Sequence, residues 1–119
     1  YFPAFEIAVK KAQPAMVMNA YNKLNGVYCS ENQYLQNDIL RDEWGFEGAV
    51  VSDWGAVNQR VEGLKNGNDI EMPYSGGYND KKIVDAVKSG ELSEDVLNNA
   101  VDRLIEIILN VWLWEVRTH

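Results

Sequence analysis

Apolar residues along the chain follow two spacings, one typical of helices that face a core and one typical of strands buried on both faces. The nearly continuous apolar runs that predict strands cover residues 15–20, 48–52 and 68–72, with a loop over residues 22–26. The helical spacing predicts helices over residues 3–12, 30–45, 56–66 and 80–89, followed by a long helix that begins after Ser93. This α-β-α-β-α-β-α-α order predicts a parallel sheet with right-handed crossovers.

Capping signals define the ends of several predicted helices. Ser30, with Gln33 three residues later, forms a capping-box pattern, while Asn79 and Ser93 are suited to cap the last two helices. The long last helix is predicted to present one apolar stripe. Its members are Leu97, Val101, Leu104, Ile105, Ile108, Val111 and Trp112.

Three strand–helix units are too few to close an eight-stranded barrel, which typically takes about 250 residues. They are enough for a small open sheet or for part of a barrel. Residues 1–119 are expected to form one domain, because no linker or repeat divides them. The chain starts at Tyr1 in a helical pattern, so we expect it to be cut from a longer protein.

Composition excludes several classes of function. A net charge of -7 disfavours nucleic acid and anionic membrane surfaces as partners, because both are polyanions. No apolar run reaches the roughly 18 residues of a membrane span, and we expect a soluble chain. The single cysteine, Cys29, allows neither an internal disulfide nor a cysteine-built metal site. We expect no metal and no cofactor, and the compartment stays open, with the cytoplasm favoured.

Functional residues of a parallel sheet lie at the carboxyl ends of its strands. Three segments qualify, at residues 18–25, 52–55 and 69–73. In the second predicted strand Asp53 shares a side with Ala49 and Val51, since side chains alternate with a period of two. A carboxylate is therefore predicted at the mouth of the sheet.

Three motifs in these segments resemble the family 3 glycoside hydrolases, a large group that contains many β-glucosidases. They are VMNAYNKLNG (residues 17–26), LRDEWGFEGAVVSDWGAV (residues 40–57) and DIEMP (residues 69–73). The resemblance runs over about residues 1–109. It implies an α/β fold in which the chain is part of a (β/α)8 (TIM-type) barrel, with about its last three βα units and a long C-terminal helix.

The resemblance also implies roles for individual residues. Asp53 matches the catalytic nucleophile, Trp54 matches an aromatic residue of the sugar subsite, and Met18 and Tyr21 match positions that border the site. The implied substrate is a β-glucoside or related oligosaccharide. A retaining glycosidase of this kind also needs a second carboxyl group roughly 5–5.5 Å from the nucleophile.

The second carboxyl group is the main gap in the pattern. Glu71 is the best candidate within the chain, although a structural or hydrogen-bonding role is favoured for it. The family takes its acid/base from a later glutamate or from an earlier histidine-containing loop, and neither motif occurs here; His119, at the terminus, is not expected to be catalytic. Two hypotheses stay open: a glycoside hydrolase active only in a larger chain or completed assembly, and a non-catalytic sugar-binding or self-associating α/β fragment.

Self-association is expected on either hypothesis. Three parallel strands leave two open edges, and open edges tend to pair with other chains. Trp112 and Trp114 add apolar surface beyond the part of the chain that resembles the family. A homo-oligomer is therefore predicted.

Overall fold

A short parallel sheet packs against helices in the computed structural model, which describes residues 1–118; His119 lies outside the described residues. The helices are α1 (Phe2–Ala12), α2 (Tyr34–Glu43, a π-helix), α3 (Arg60–Lys65), α4 (Tyr78–Ser89) and α5 (Glu94–Thr118), and a short 3-10 helix at Cys29–Glu31 precedes α2. The strands are β1 (Met16–Met18), β2 (Lys23–Leu24), β3 (Val27–Tyr28) and β4 (Ala49–Val51). The predicted order of helices is confirmed, but the predicted alternation with strands holds only for the first two predicted strands.

Strands β1 and β4 pair in parallel, with Val17 opposite Val50, as the predicted topology requires. The predicted third strand is reduced to one parallel bridge between Val51 and Ile70. It does not lengthen toward its amino end because the two N–H groups that would extend the ladder donate elsewhere. The Val50 N–H donates to Asp69 Oδ2 and the Asn68 N–H donates to the Gly63 carbonyl, both at 2.8 Å.

The prediction of a plain loop over residues 22–26 was wrong, because β2 and β3 form an antiparallel hairpin there. Its turn is Asn25-Gly26, with φ values of 52° and 85°. Asn-Gly is the dipeptide that best tolerates two successive positive φ angles, so the signal was present in the sequence.

The predicted cap of α2 was also wrong. The Ser30 hydroxyl donates to the Ala56 carbonyl at 2.8 Å in a buried site, and Asn32 instead accepts the Leu35 N–H at 3.0 Å. The helix therefore starts later than the capping-box pattern indicates. It is also wound more widely than an α-helix, as shown by the Trp44 N–H donating to the carbonyl of Ile39, five residues earlier.

Burial of the strands is uneven. Ala49 and Val50 of β4 are fully buried, but β1 is not buried on both faces as predicted, since Met16 and Met18 are exposed and Val17 is half-buried. The physical reason is that β1 is an edge strand, whose one strand neighbour among residues 1–118 is β4.

Two apolar clusters form the core. The first joins α1, α2, β4 and the segment after α2, and contains Val9, Ile39, Leu40, Trp44, Phe46 and Val50. The second joins α3, α4 and α5, and contains Leu64, Ile83, Ala86, Leu92 and Ala100. Strand β4 thus contributes Val50 to the first cluster, and the second lies among the helices that follow it.

The predicted stripe of α5 is rotated relative to the observed one. Ala100 is buried, with Val96 and Leu97 packed on the same cluster, whereas Val101 and Ile105 are exposed. Exposure extends to Ile108, Val111 and Trp112. The inward face of α5 carries the small residue Ala100 and, three residues later, Arg103, because Arg103 pairs with Asp69.

Among the described residues no helix is both long and apolar enough to cross a membrane.

Asp69 forms a buried ion cluster that holds several elements together. Its Oδ2 accepts the Val50 N–H and an Arg41 N–H, both at 2.8 Å, and its Oδ1 accepts an Arg103 N–H at 2.8 Å. Only 1% of the Asp69 side chain is exposed. Burial lowers the pKa of the Arg41 guanidinium, and the Asp69 carboxylate opposes that shift. One carboxylate therefore connects β4 with α2 and α5.

We expect Asp69→Asn to lower the free energy of unfolding by about 3–5 kcal/mol, because Arg41 would remain buried without its counter-charge. Urea unfolding followed by circular dichroism measures this loss. Asp102→Asn, on the exposed face of α5, is the matched control and should change stability by less than about 0.5 kcal/mol. Equal stability of the two variants would show that the buried cluster does not hold the fold together.

Candidate active site

Three loops meet at the carboxyl ends of the parallel strands and are tied to one another by hydrogen bonds. The Asn19 N–H, after β1, donates to the Val51 carbonyl at 3.0 Å. The Asp53 N–H, after β4, donates to Asn19 Oδ1 at 3.2 Å, and the Gly55 N–H donates to the Met72 carbonyl at 2.8 Å. The loop that carries Asp53 is thereby fixed on both of its flanks.

Asp53 is half-buried and its carboxylate is oriented by the backbone that follows it. Its Oδ1 accepts the Trp54 N–H at 2.6 Å, and its carbonyl accepts the Ala56 N–H at 3.0 Å. Gly55, at φ 78°, adopts the left-handed conformation that this tight turn requires. Within residues 1–118 no hydrogen bond is made to Asp53 Oδ2, so this oxygen is free to meet a ligand.

The residue before Asp53 anchors the strand end from the opposite side. Ser52 is fully buried, and its hydroxyl donates to the Met72 carbonyl at 3.2 Å and accepts the Met72 N–H at 2.8 Å. Its backbone N–H also donates to the Ile70 carbonyl at 2.9 Å. With Ser52 held inside, the period of two places Asp53 on the other side of the chain.

The other predicted site residues present large exposed side chains on the same loops. Trp54 and Tyr21 are each 70% exposed, and Met18 is 59% exposed. Met18 pairs in register with Val51, two residues before Asp53, and Tyr21 follows on the same loop as Asn19. These side chains contribute little to the core of this chain, and they offer apolar and aromatic surface on the loops at the carboxyl ends of β1 and β4.

Glu71, the predicted second carboxylate, is engaged by structural partners. It accepts a hydrogen bond from Asn79 Nδ2 at 2.6 Å and lies 3.9 Å from Arg60 Nε, with 14% of its side chain exposed. Burial lowers the pKa of the Arg60 guanidinium, while Glu71, Asp69 and Asp80 oppose the shift. Glu71 therefore fixes the segment after Ile70 to the start of α4.

Sequence reasoning missed a pair of amides behind Asp53. Asn19 Nδ2 donates to Gln36 Oε1 at 3.0 Å, and Gln36, which is 1% exposed, donates to the Asn66 carbonyl at 3.1 Å and the Ser30 carbonyl at 3.5 Å. Neither residue stands out by periodicity. The available signal was Asn19 itself, a polar side chain within the apolar run AMVMNA.

A cavity of about 630 Å³ lies elsewhere. It is lined by α1, α5 and residues 44–48, and it includes Ala15 and Gly48, which immediately precede β1 and β4. It therefore opens at the amino ends of the strands, away from Asp53. Ligand sites of parallel sheets lie at the carboxyl ends, so this cavity is not the candidate active site.

Comparison with known proteins identifies the family. Residues 1–107 match the model of the glycosyl hydrolase family 3 N-terminal domain. The chain therefore belongs to glycosyl hydrolase family 3, which confirms the resemblance seen in its motifs and its α/β fold class.

Individual relatives show how much of a family member the chain represents. It is 64% identical over 108 residues to thermostable β-glucosidase B of Acetivibrio thermocellus, covering 91% of this chain and 14% of that protein. It is 48% identical over 108 residues to an exo-α-(1→6)-L-arabinopyranosidase of Bifidobacterium breve, with the same coverage. The chain thus spans about 14% of the length of these relatives.

A solved structure agrees in fold. β-Glucosidase 3B from Thermotoga neapolitana, in complex with glycerol, superimposes with a TM-score of 0.88 at 48% identity. The match covers 92% of this chain and 16% of that structure. The fold described above is therefore similar to a segment of that larger enzyme.

Proposed function

We propose that this chain supplies the nucleophile, Asp53, to a retaining glycoside hydrolase that acts on β-glucosides or related oligosaccharides. The observation that carries the proposal is the geometry of the Asp53 carboxylate at the end of β4. Its Oδ1 is held by the Trp54 N–H, and its Oδ2 makes no hydrogen bond within the described part of the chain. The names of the relatives, β-glucosidases among them, support the reaction class.

In the proposed mechanism Asp53 Oδ2 attacks the anomeric carbon of the sugar. The bond from that carbon to the leaving oxygen breaks, while a second carboxyl group donates a proton to the leaving oxygen. The product of this step is a glycosyl ester on Asp53. A water molecule, deprotonated by the second carboxylate, then attacks the anomeric carbon, releasing the sugar with retained configuration and restoring the Asp53 carboxylate.

The exposed side chains around Asp53 suit sugar binding. The Trp54 ring can stack on the apolar C–H face of a pyranose, and the Tyr21 hydroxyl can hydrogen-bond to a sugar hydroxyl. Met18, at the end of β1, adds an apolar wall. Because relatives include both β-glucosidases and an arabinopyranosidase, the proposal extends to the glycoside class and not to a single sugar.

The second carboxyl group is proposed to come from outside residues 1–119, in a larger chain or a completed assembly. Glu71 is a poor acid/base because Asn79 and Arg60 already hold its carboxylate. The same observation favours the second candidate function, a non-catalytic fragment that binds sugar. Turnover of an aryl β-glucoside, as opposed to binding alone, separates the two functions.

A homo-oligomer is part of the proposal for the isolated chain. Strand β1 exposes Met16 and Met18, and among residues 1–118 it has a strand neighbour on one side only. Helix α5 exposes Ile105 and Ile108 on its outer face. Association of copies would cover this edge and this apolar surface.

Replacing Asp53 by Ala or Asn should lower the hydrolytic rate by several orders of magnitude, because no glycosyl ester can form. The measurement is turnover of an aryl β-glucoside by the full-length protein that contains this segment. Asp38→Asn, an exposed carboxylate on α2, serves as the control and should retain activity. A fluoroglycoside label should be found on Asp53; a label on Glu71, with Asp53 unmodified, would contradict the assignment.

The purified 119-residue chain should show no activity or very weak activity. Loss of the general acid alone costs roughly 10²–10⁴ in rate when the leaving group needs protonation. An unactivated disaccharide is the test substrate, because an activated leaving group would hide part of the loss. Robust hydrolysis that Asp53→Ala abolishes would overturn the proposal of an external acid/base and assign that role within the chain.

Size-exclusion chromatography with light scattering, at micromolar concentration, tests the oligomeric state. We expect a mass at least twice the 13.5 kDa of one chain. The β1 edge can pair with a strand of another copy, and the outer face of α5 can pack against apolar surface of another copy. A sharp monomer peak, with unfolding independent of protein concentration, would show that the chain satisfies its own edges.

A further inference from the structure

We propose that Asn19 is a positioning residue for the nucleophile, acting through the backbone of Asp53 while Gln36 holds its amide in place. The inference rests on the proposed function of Asp53. It concerns the end of β4, where the strand ladder stops and a side chain takes over its hydrogen bond.

The hydrogen-bond ladder between β1 and β4 ends just before Asp53. Strand β1 pairs with β4 up to Met18 and Val51, and the Asn19 N–H donates to the Val51 carbonyl at 3.0 Å. The next N–H of β4 that faces β1 belongs to Asp53. It donates to the Asn19 side-chain oxygen at 3.2 Å and not to a backbone carbonyl of β1. Asn19 therefore holds β4 twice, once by its main chain and once by its side chain.

The Asn19 side-chain amide is itself held in one orientation. Its Nδ2 donates to Gln36 Oε1 at 3.0 Å, so the amide oxygen must face Asp53. Gln36 is 1% exposed, and its Nε2 donates to the Asn66 carbonyl at 3.1 Å and the Ser30 carbonyl at 3.5 Å. The orientation is thus fixed by Gln36 of α2, which is itself held by the segment before α2 and by the residue that follows α3.

The backbone position of Asp53 sets the direction of its reacting oxygen, Oδ2. Asp53 has one carboxylate oxygen on the Trp54 N–H at 2.6 Å, so its χ angles are set by the local backbone. A shift of the Asp53 N–H changes the direction in which Oδ2 points. A misplacement of about 1 Å from a distant change can cost on the order of 10²-fold in rate.

The test compares Asn19→Ala with Asn22→Ala in the full-length protein that contains this segment. Asn22 is an exposed asparagine on the same loop, and among the described residues its side chain donates only to the neighbouring Lys23 carbonyl, at 3.3 Å. Each variant is treated with an activated 2-deoxy-2-fluoro-β-glucoside. The readouts are the rate constant of labelling, the final number of labelled sites, kcat, KM and Tm.

For Asn19→Ala we expect about 10- to 100-fold decreases in the labelling rate constant and in kcat, by analogy with other misplaced catalytic groups. The final number of labelled sites and KM should stay within twofold of the unmodified protein, and Asn22→Ala should be unchanged. A merely structural role would instead lower Tm and the number of labelled sites, with an unchanged rate constant at the sites that remain, and this result would overturn the inference.

A second variant, Gln36→Met, tests whether Asn19 depends on its anchor. The double variant combines Asn19→Ala with Gln36→Met. If Gln36 acts through Asn19, the labelling rate constant of the double variant should be no lower than that of Asn19→Ala alone. Additive losses would overturn the role given to Gln36.

The labelling experiment also separates the two proposals. If the unmodified protein is never labelled at Asp53, the proposed function fails. If it is labelled and the Asn19→Ala variant is labelled equally fast, only the present inference fails.

Discussion

The rest of the structure depends on the buried carboxylate of Asp69. One side chain accepts hydrogen bonds from the Val50 N–H, from Arg41 of α2 and from Arg103 of α5. A buried charge is tolerated only when it is paired and hydrogen-bonded. Separation of α2 or α5 from β4 would therefore leave an unpaired charge in the protein interior. The strand that ends just before Asp53, the proposed nucleophile, is therefore held by an ionic cluster as well as by apolar packing.

Above this cluster the site is built by short polar links between strand ends. Ser52 ties β4 to Met72 on one side, and Asn19 ties it to the end of β1 on the other. Each link uses a side chain to replace a hydrogen bond that the sheet no longer supplies where its strands stop. The result is a carboxylate with one oxygen fixed and one oxygen available, an arrangement that suits the proposed attack on a sugar.

The candidate site could be predicted from the sequence because its position follows from local rules. A period of two along GAVVSD put Asp53 at the mouth of the sheet, and three motifs tied it to a family. Two of the errors have different causes. The Asn-Gly turn of the hairpin was a local signal that was interpreted as loop. Ser30 was assigned as a cap although its hydroxyl donates to the Ala56 carbonyl, 26 residues away, a contact that no local pattern indicates.

The remaining features depend on contacts between residues far apart in the chain. Asn19 and Gln36 are 17 residues apart, and Asp69 and Arg103 are 34 apart, so no pattern within one element indicates either pair. The rotation of α5 has the same origin, because Arg103 faces inward only when Asp69 is there to receive it. Hydrophobic periodicity treats an arginine as a surface residue.

The most direct test of the central claim is a crystal structure of the full-length protein after reaction with a fluoroglycoside. We predict a covalent bond from Asp53 Oδ2 to the anomeric carbon, with the Trp54 N–H still on Oδ1 and the Asp53 N–H still on Asn19. A glycosyl ester on any other carboxylate would contradict the account.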